Sequence, residues 1–151
     1  MIKPAVDGTL VVLRACVKHG VKRVVLTSSA YAIFRTHEDK RPSDGVHNES
    51  HFSDPSRKGG MTAYEASKAL AEKAAWEYLD SLPEHQKFEL TTICPGLVIG
   101  PSLIAGGFTS GKLISDLMNN EFPALPRASI PCVDVRNVVQ AHVRAIKTDS
   151  A

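Results

Sequence analysis

A chain of 151 residues that is 43% hydrophobic and 23% charged has the balance of an ordinary soluble globular protein and the length of one domain or part of one. Its net charge of +2 and pI near 8.5 are too mild for a nucleic-acid footprint, and its Lys and Arg residues are scattered without interleaved aromatics. No apolar run approaches the ~20 residues of a membrane span, and the opening Met1-Ile2-Lys3-Pro4-Ala5 lacks the apolar core of a secretory signal.

Val6, Leu10, Leu13 and Val17 recur at helical spacing and predict a helix from Pro4 to His19. Pro4 suits a first turn and Gly20 suits the stop, although nothing before Pro4 is a good N-cap. Arg23 to Thr27 is Val-rich at its centre and reads as a parallel strand covered on both faces. Residues 35 to 60 are polar and form a long surface loop. Thr62 to Leu82 is the best helix, with Ala63, Ala66, Leu70, Ala74 and Tyr78 as its packing stripe and Pro83 as its end. Glu72, Lys73 and Glu77 read as its solvent face. Phe88 to Cys94 is a second strand, and Pro95 to Gly111 a Gly- and Pro-rich loop. A short helix follows at Lys112 to Met118, then a very short strand at Ile130 to Val133. Asp134 is placed to cap a last helix, Val135 to Ile146.

The order helix, strand, helix, strand, helix predicts an α/β layered fold with parallel strands. Only two strands are convincing, whereas a free-standing sheet needs about three. The first strand would also have an open edge. These features predict a piece of a larger domain. Cys16, Cys94 and Cys132 are odd in number and far apart, without metal-site or disulfide-framework spacing. They read as reduced core thiols of a cytoplasmic protein.

Two segments carry chemistry. Thr27-Ser28-Ser29-Ala30 closes the first strand, at the carboxyl edge where open α/β sheets place their ligand crevice. Tyr64-Glu65-Ala66-Ser67-Lys68 sets a phenol and an ammonium four apart on one helix face. A phenol titrates near 10 in water, and one ammonium ~4 Å away stabilises a phenolate by about 4 kcal/mol at an effective dielectric of ~20. Such a pair is equipped for proton transfer near neutral pH. Ser29, or its neighbour Ser28, can orient a carbonyl beside the phenol. Alone the Tyr/Lys spacing is a weak motif, and a solvated helix pair is its plain reading. Its place between two strand ends strengthens it, since the next strand closes on Pro95-Gly96 at the same edge.

Other candidates are weaker. Gly106 to Lys112 nearly matches a phosphate-binding loop, but Leu113 stands where Mg²⁺ binding needs Ser or Thr. His47 and His51 are four apart in a loop and read as solvated rather than metal-binding. Glu49 and Asp54 read as solvated loop charges.

Six segments in order resemble the extended short-chain dehydrogenase/reductases of the NAD-dependent epimerase/dehydratase superfamily. The similarity is to their dihydroflavonol reductase, cinnamoyl-CoA reductase and aldehyde reductase branch. They are Val6–Cys16, Val21–Ala30, Asn48–Asp54 (with Phe52 where Trp is usual), Tyr64–Lys68, Pro95–Pro101 and Val133–Val138. The resemblance implies the C-terminal part of a Rossmann-like doubly wound parallel sheet. The catalytic half would span about 1–100, and part of a small substrate lobe about 101–133. It implies an NADP-dependent (or NAD-dependent) oxidoreductase acting on a small carbonyl or alcohol. Ser29 would orient the carbonyl, Tyr64 deliver the proton, and Lys68 stabilise the phenolate and bind the nicotinamide ribose. Thr27 and Ser28 would border the cofactor, Pro95, Gly96, Leu97 and Val98 would line the nicotinamide, and Ser110 would meet a cofactor phosphate. The family's Gly-rich phosphate turn is absent from these 151 residues. An alternative expectation is therefore a truncated, non-enzymatic remnant or binding module. Within the fold, the alternatives are an epimerase, a dehydratase or a hydroxysteroid dehydrogenase.

Overall fold

The computed structural model describes residues 1–34, 42–56, 60–103, 109–124 and 129–149. Helix α1 (Ile2–Lys18) begins before Pro4 and has no side-chain cap. It buries Leu13 and half-buries Val6, Leu10 and Val17, as their spacing predicts. Gly20 takes a left-handed φ of 65°, which turns the Val21 N–H back onto the Cys16 carbonyl at 3.0 Å and stops the helix.

Strand β1 (Arg23–Thr27) pairs in parallel with β2 (Glu89–Ile93), Val24 opposite Leu90 and Thr27 opposite Ile93. Alternate residues point to opposite faces. Val24 and Leu26 join Leu13, Ala75, Phe88 and Leu90 in the main core. From the other face, the Thr27 hydroxyl and the Arg23 guanidinium reach the last helix, α4 (Val135–Lys147), at His142 and the Ile146 carbonyl. Helices therefore cover both faces of this parallel pair, and the expected α/β layering is present. In β1 itself Arg23 to Leu26 are half-buried and Thr27 is exposed, so the strand is not fully covered.

Helix α2 (Ala63–Ser81) is started by a capping box. The Thr62 hydroxyl accepts from the Glu65 N–H at 3.2 Å, and the Glu65 carboxylate accepts from the Thr62 N–H at 2.7 Å. Leu82, just before Pro83, closes it. Its buried residues are Glu65, Ala66, Ser67, Ala69, Glu72 and Ala75. Of the expected stripe only Ala66 is among them, and Ala63 is exposed. The helix packs on α1 on one side and on β2 and the Ser29 turn on another. Its inner face is therefore broad and includes polar residues satisfied by hydrogen bonds. Glu72 is 3% exposed, which overturns its place on a solvent face. Lys73 and Glu77 do face solvent, 3.7 Å apart.

The stretch read as a loop after Cys94 contains strand β3 (Leu97–Ile99), parallel to β4 (Cys132–Asp134). Between them lies α3 (Thr109–Met118), three residues longer at its start than its pattern predicts, so Ser110 falls in its first turn. Strand β4 starts two residues later than the expected Ile130–Val133 and ends one residue past it, at Asp134. Asp134 then caps α4, accepting from the Arg136 N–H at 2.8 Å. The Arg136 guanidinium on the same carboxylate pulls its pKa down to about 2. Among the thiols Cys16 and Cys94 are half-buried and Cys132 is exposed. Cys132 is therefore not a core thiol, because β4 is short and open at its first residue.

Candidate active site

Because β1 and β2 are parallel, both carboxyl ends open on one edge. The ladder continues past them, with the Ser28 N–H on the Ile93 carbonyl at 2.8 Å and the Ala30 N–H on the Pro95 carbonyl at 2.9 Å. These bonds fix the Ser-Ser segment against the Pro-Gly segment. A cleft of about 580 Å³ lies at this edge. Thr27, Ser28, Ser29 and Tyr64 border it, as do Pro95, Gly96, Leu97 and Val98. The first turn of α3 contributes Ser110. Lys68 does not border this cleft; it lines an adjoining pocket of about 140 Å³ that shares Thr27 and Ser28.

The two serines separate by strand geometry. Ser28 donates its hydroxyl to the buried Glu72 carboxylate. Ser29, 8% exposed, caps a 3₁₀ turn at Ala30–Ala32, its Oγ accepting from the Tyr31 N–H at 3.3 Å. That bond uses an acceptor site and leaves the Ser29 O–H free of this contact, as a donor to a carbonyl would need. Thr27 is tied to α4. The Val138 carbonyl, 2.8 Å from His142 Nδ1, can only accept, so Nδ1 carries the proton of the neutral ring. Nε2 then accepts from the Thr27 hydroxyl at 2.8 Å.

Tyr64, the second residue of α2, is 48% exposed. Its ring meets Tyr31 edge to face, centroids 5.9 Å apart. The Lys68 ammonium stands 5.7 Å from the Tyr64 ring centroid, within the reach of a cation–π contact. The i, i+4 relation thus brings the cation and the phenol ring side by side. Gly96 permits the opposite wall. The Leu97 N–H donates to the Pro131 carbonyl at 2.7 Å, and a Cβ on Gly96 would collide with that carbonyl oxygen.

Tyr31, Leu113 and Pro131 also line the cleft. Sequence reasoning missed them, although Tyr31 lies two residues after Ser29. The phosphate-loop candidate gains nothing. Lys112 pairs with Asp116 at 2.6 Å, and Gly106 to Phe108 lie outside the described residues. The His47 and His51 rings meet edge to face, and His51 Nδ1 accepts from the Asn48 N–H at 3.1 Å. Asp54 accepts from both the N–H and the hydroxyl of Ser56, a local turn contact, while Glu49 is exposed.

Residues 1–148 match the family model described as the 3-beta hydroxysteroid dehydrogenase/isomerase family. A cinnamoyl-CoA reductase of Medicago truncatula is 38% identical over 154 residues, covering 100% of this chain and 45% of the relative. An anthocyanidin reductase of Vitis vinifera is 35% identical over 164 residues, covering 100% of this chain and 47% of the relative. Among solved structures, the yeast methylglyoxal/isovaleraldehyde reductase Gre2, complexed with NADPH, superposes with a TM-score of 0.76 at 32% identity. That match covers 99% of this chain and 47% of the yeast protein. The chain spans about half the length of the relatives it matches.

Proposed function

The chain belongs to the 3-beta hydroxysteroid dehydrogenase/isomerase family, and from that premise we propose that its protein is an NADPH-dependent reductase of a small aldehyde or ketone. The observation that carries this reading is the meeting of Ser29, Tyr64 and the Pro95–Val98 wall on one cleft. The Lys68 ammonium beside the Tyr64 ring completes the set. The cleft fits the nicotinamide end of such a cofactor. One wall, Pro95 to Val98, is apolar enough for a flat ring, the opposite rim carries hydroxyls suited to a carbonyl, and the Lys68 ammonium stands in the adjoining pocket, available to a ribose. Bound there, the nicotinamide supplies the hydride.

The chain's own residues do the rest. Ser29 Oγ donates to the carbonyl oxygen and holds it toward Tyr64. The Tyr64 phenol gives its proton to that oxygen as it becomes an alkoxide, and a solvent proton restores the phenol. Lys68 stabilises the transient phenolate and binds the ribose hydroxyls. Thr27 and Ser28 would border the ribose, and Ser110, in the first turn of α3, would hold a cofactor phosphate, since helix N–H groups favour an anion. Alcohol oxidation uses the same groups in reverse. Residues up to about 100 form the catalytic half and about 101–133 contribute to the substrate side. The three free thiols fit a reducing compartment, the cytoplasm. No helix among the described residues is long and apolar enough to cross a membrane.

NADPH oxidation by the purified protein across a panel of aldehydes and ketones tests the reading. Carbonyl-dependent oxidation is expected, and Lys68→Met is expected to lower kcat/KM by about 10²-fold or more, the scale of a lost acid–base contribution. No carbonyl-dependent oxidation of NADPH or NADH, or full activity in Lys68→Met, would contradict it.

A further inference from the structure

Glu72 lies one helical turn beyond Lys68 and two beyond Tyr64, on the same side of α2, yet no step above uses it. It is 3% exposed, and four donors converge on its carboxylate. The Ser28 hydroxyl bonds Oε2 from the end of β1. The Thr92 hydroxyl bonds Oε1 at 3.0 Å from near the end of β2. Trp76 Nε1 reaches Oε1 at 3.4 Å, and Cys94 Sγ reaches Oε2 at 3.5 Å.

A buried carboxylate is tolerated only where donors replace its lost water, and here they come from three separate segments. The helix that carries Tyr64 and Lys68 is thereby tied through one side chain to both strand ends that frame the cleft. Glu72 also borders the small pocket that Lys68 lines, together with Ser28. Ser28 is covalently next to Ser29. A shift of the Ser28 anchor therefore moves Ser29 relative to Tyr64, the one spacing that proton transfer to an oriented carbonyl requires. Misplacement by about 1 Å can cost 10²-fold in rate.

We propose that Glu72 is a positioning residue that clamps the carboxyl ends of β1 and β2 to α2 and so sets Ser29 against Tyr64. This rests on the Ser29/Tyr64/Lys68 reading. It adds a group that touches neither substrate nor cofactor. Gln, of nearly the same shape, can keep much of the clamp because the two hydroxyls can turn to accept from its amide. Ala cannot.

Steady-state kinetics of the purified protein carrying Glu72→Ala, Glu72→Gln and Ser28→Ala, each alone and combined with Ser29→Ala, provide the test. Glu72→Ala should lower kcat by about 10²-fold and leave the NADPH dissociation constant within about threefold. Glu72→Gln should restore at least about a tenth of the lost rate. In the Ser29→Ala background Glu72→Ala should cost less than about threefold, because the group it positions is already gone. A purely structural defect would lower the rate equally in both backgrounds, and that result overturns the proposal. So does a folded Glu72→Ala protein with unchanged kcat. If Glu72→Ala fails to fold, Ser28→Ala decides. It should lower kcat at least threefold with the same dependence on Ser29, and additive losses or an unchanged rate refute the clamp. Tyr64→Phe separates the two claims. Full turnover there removes the underlying reading, whereas loss there with unaltered kcat in the Glu72 and Ser28 variants removes only the clamp.

Discussion

Cys94 and Glu72 meet 3.5 Å apart beneath the ends of β1 and β2, and the pair has a measurable consequence. Burial, with the Glu72 charge second, pushes the Cys94 thiol up to about 11. At pH 8 about a thousandth of it is then thiolate, the reactive form. Iodoacetamide at that pH should modify the exposed Cys132 readily and leave Cys94 largely unmodified until the protein unfolds, as peptide mass analysis of timed samples would record. Equal modification of the two in the native protein would contradict the burial of this thiol. The sign for stability follows. The folded pKa lies above the ordinary value of 9.0, so the native state is favoured while the thiol is protonated. That contribution is complete below pH ~9 and is lost as pH rises toward ~11. None of this was legible in the sequence, where Glu72 looks like any helix-surface charge beside Lys73. Only pairing of α2 with the strand ends brings Ser28, Thr92 and Cys94 to it. Tyr64 and Lys68 were legible because their relation is local, one helical turn on one face.

At the scale of elements, the longer segments followed their patterns. α1, α2 and α4 lie within two residues of their predicted ends, as do β1 and β2. β3 was hidden, because three residues between Pro95-Gly96 and Gly100-Pro101 carry no period, and their pairing with β4 is long-range. The packing face of α2 was misjudged for a related reason. A helix held on two sides by polar as well as apolar contacts has no single apolar stripe. The Gly96 backbone is where this hidden pairing meets the cleft, and it allows a direct check. Gly96→Ala forces a methyl onto the Pro131 carbonyl. Overpacking of this kind costs about 1–3 kcal/mol, so urea unfolding should show a loss in that range. The same displacement of the Pro95–Val98 wall should raise the KM for NADPH several-fold. A loss below about 0.5 kcal/mol with unchanged KM would show that the β3–β4 approach is looser than described.

Among the described residues two parallel strand pairs form, the first with helices on both faces, and the candidate cleft opens where β1 and β2 end. The α/β class was legible from the order of elements alone. The likeness to reductases extends across the chain but over only about half of each relative. Under the proposed function Tyr64 is the proton donor of a carbonyl reduction. The most direct test is single-turnover NADPH oxidation by Tyr64→Phe beside the parent protein, with cofactor binding followed by fluorescence. A rate lower by about 10²–10⁴-fold, the usual contribution of a general acid, is expected, with NADPH binding within a few-fold of the parent. A Tyr64→Phe protein that binds NADPH and reduces the carbonyl at the parent rate would contradict it.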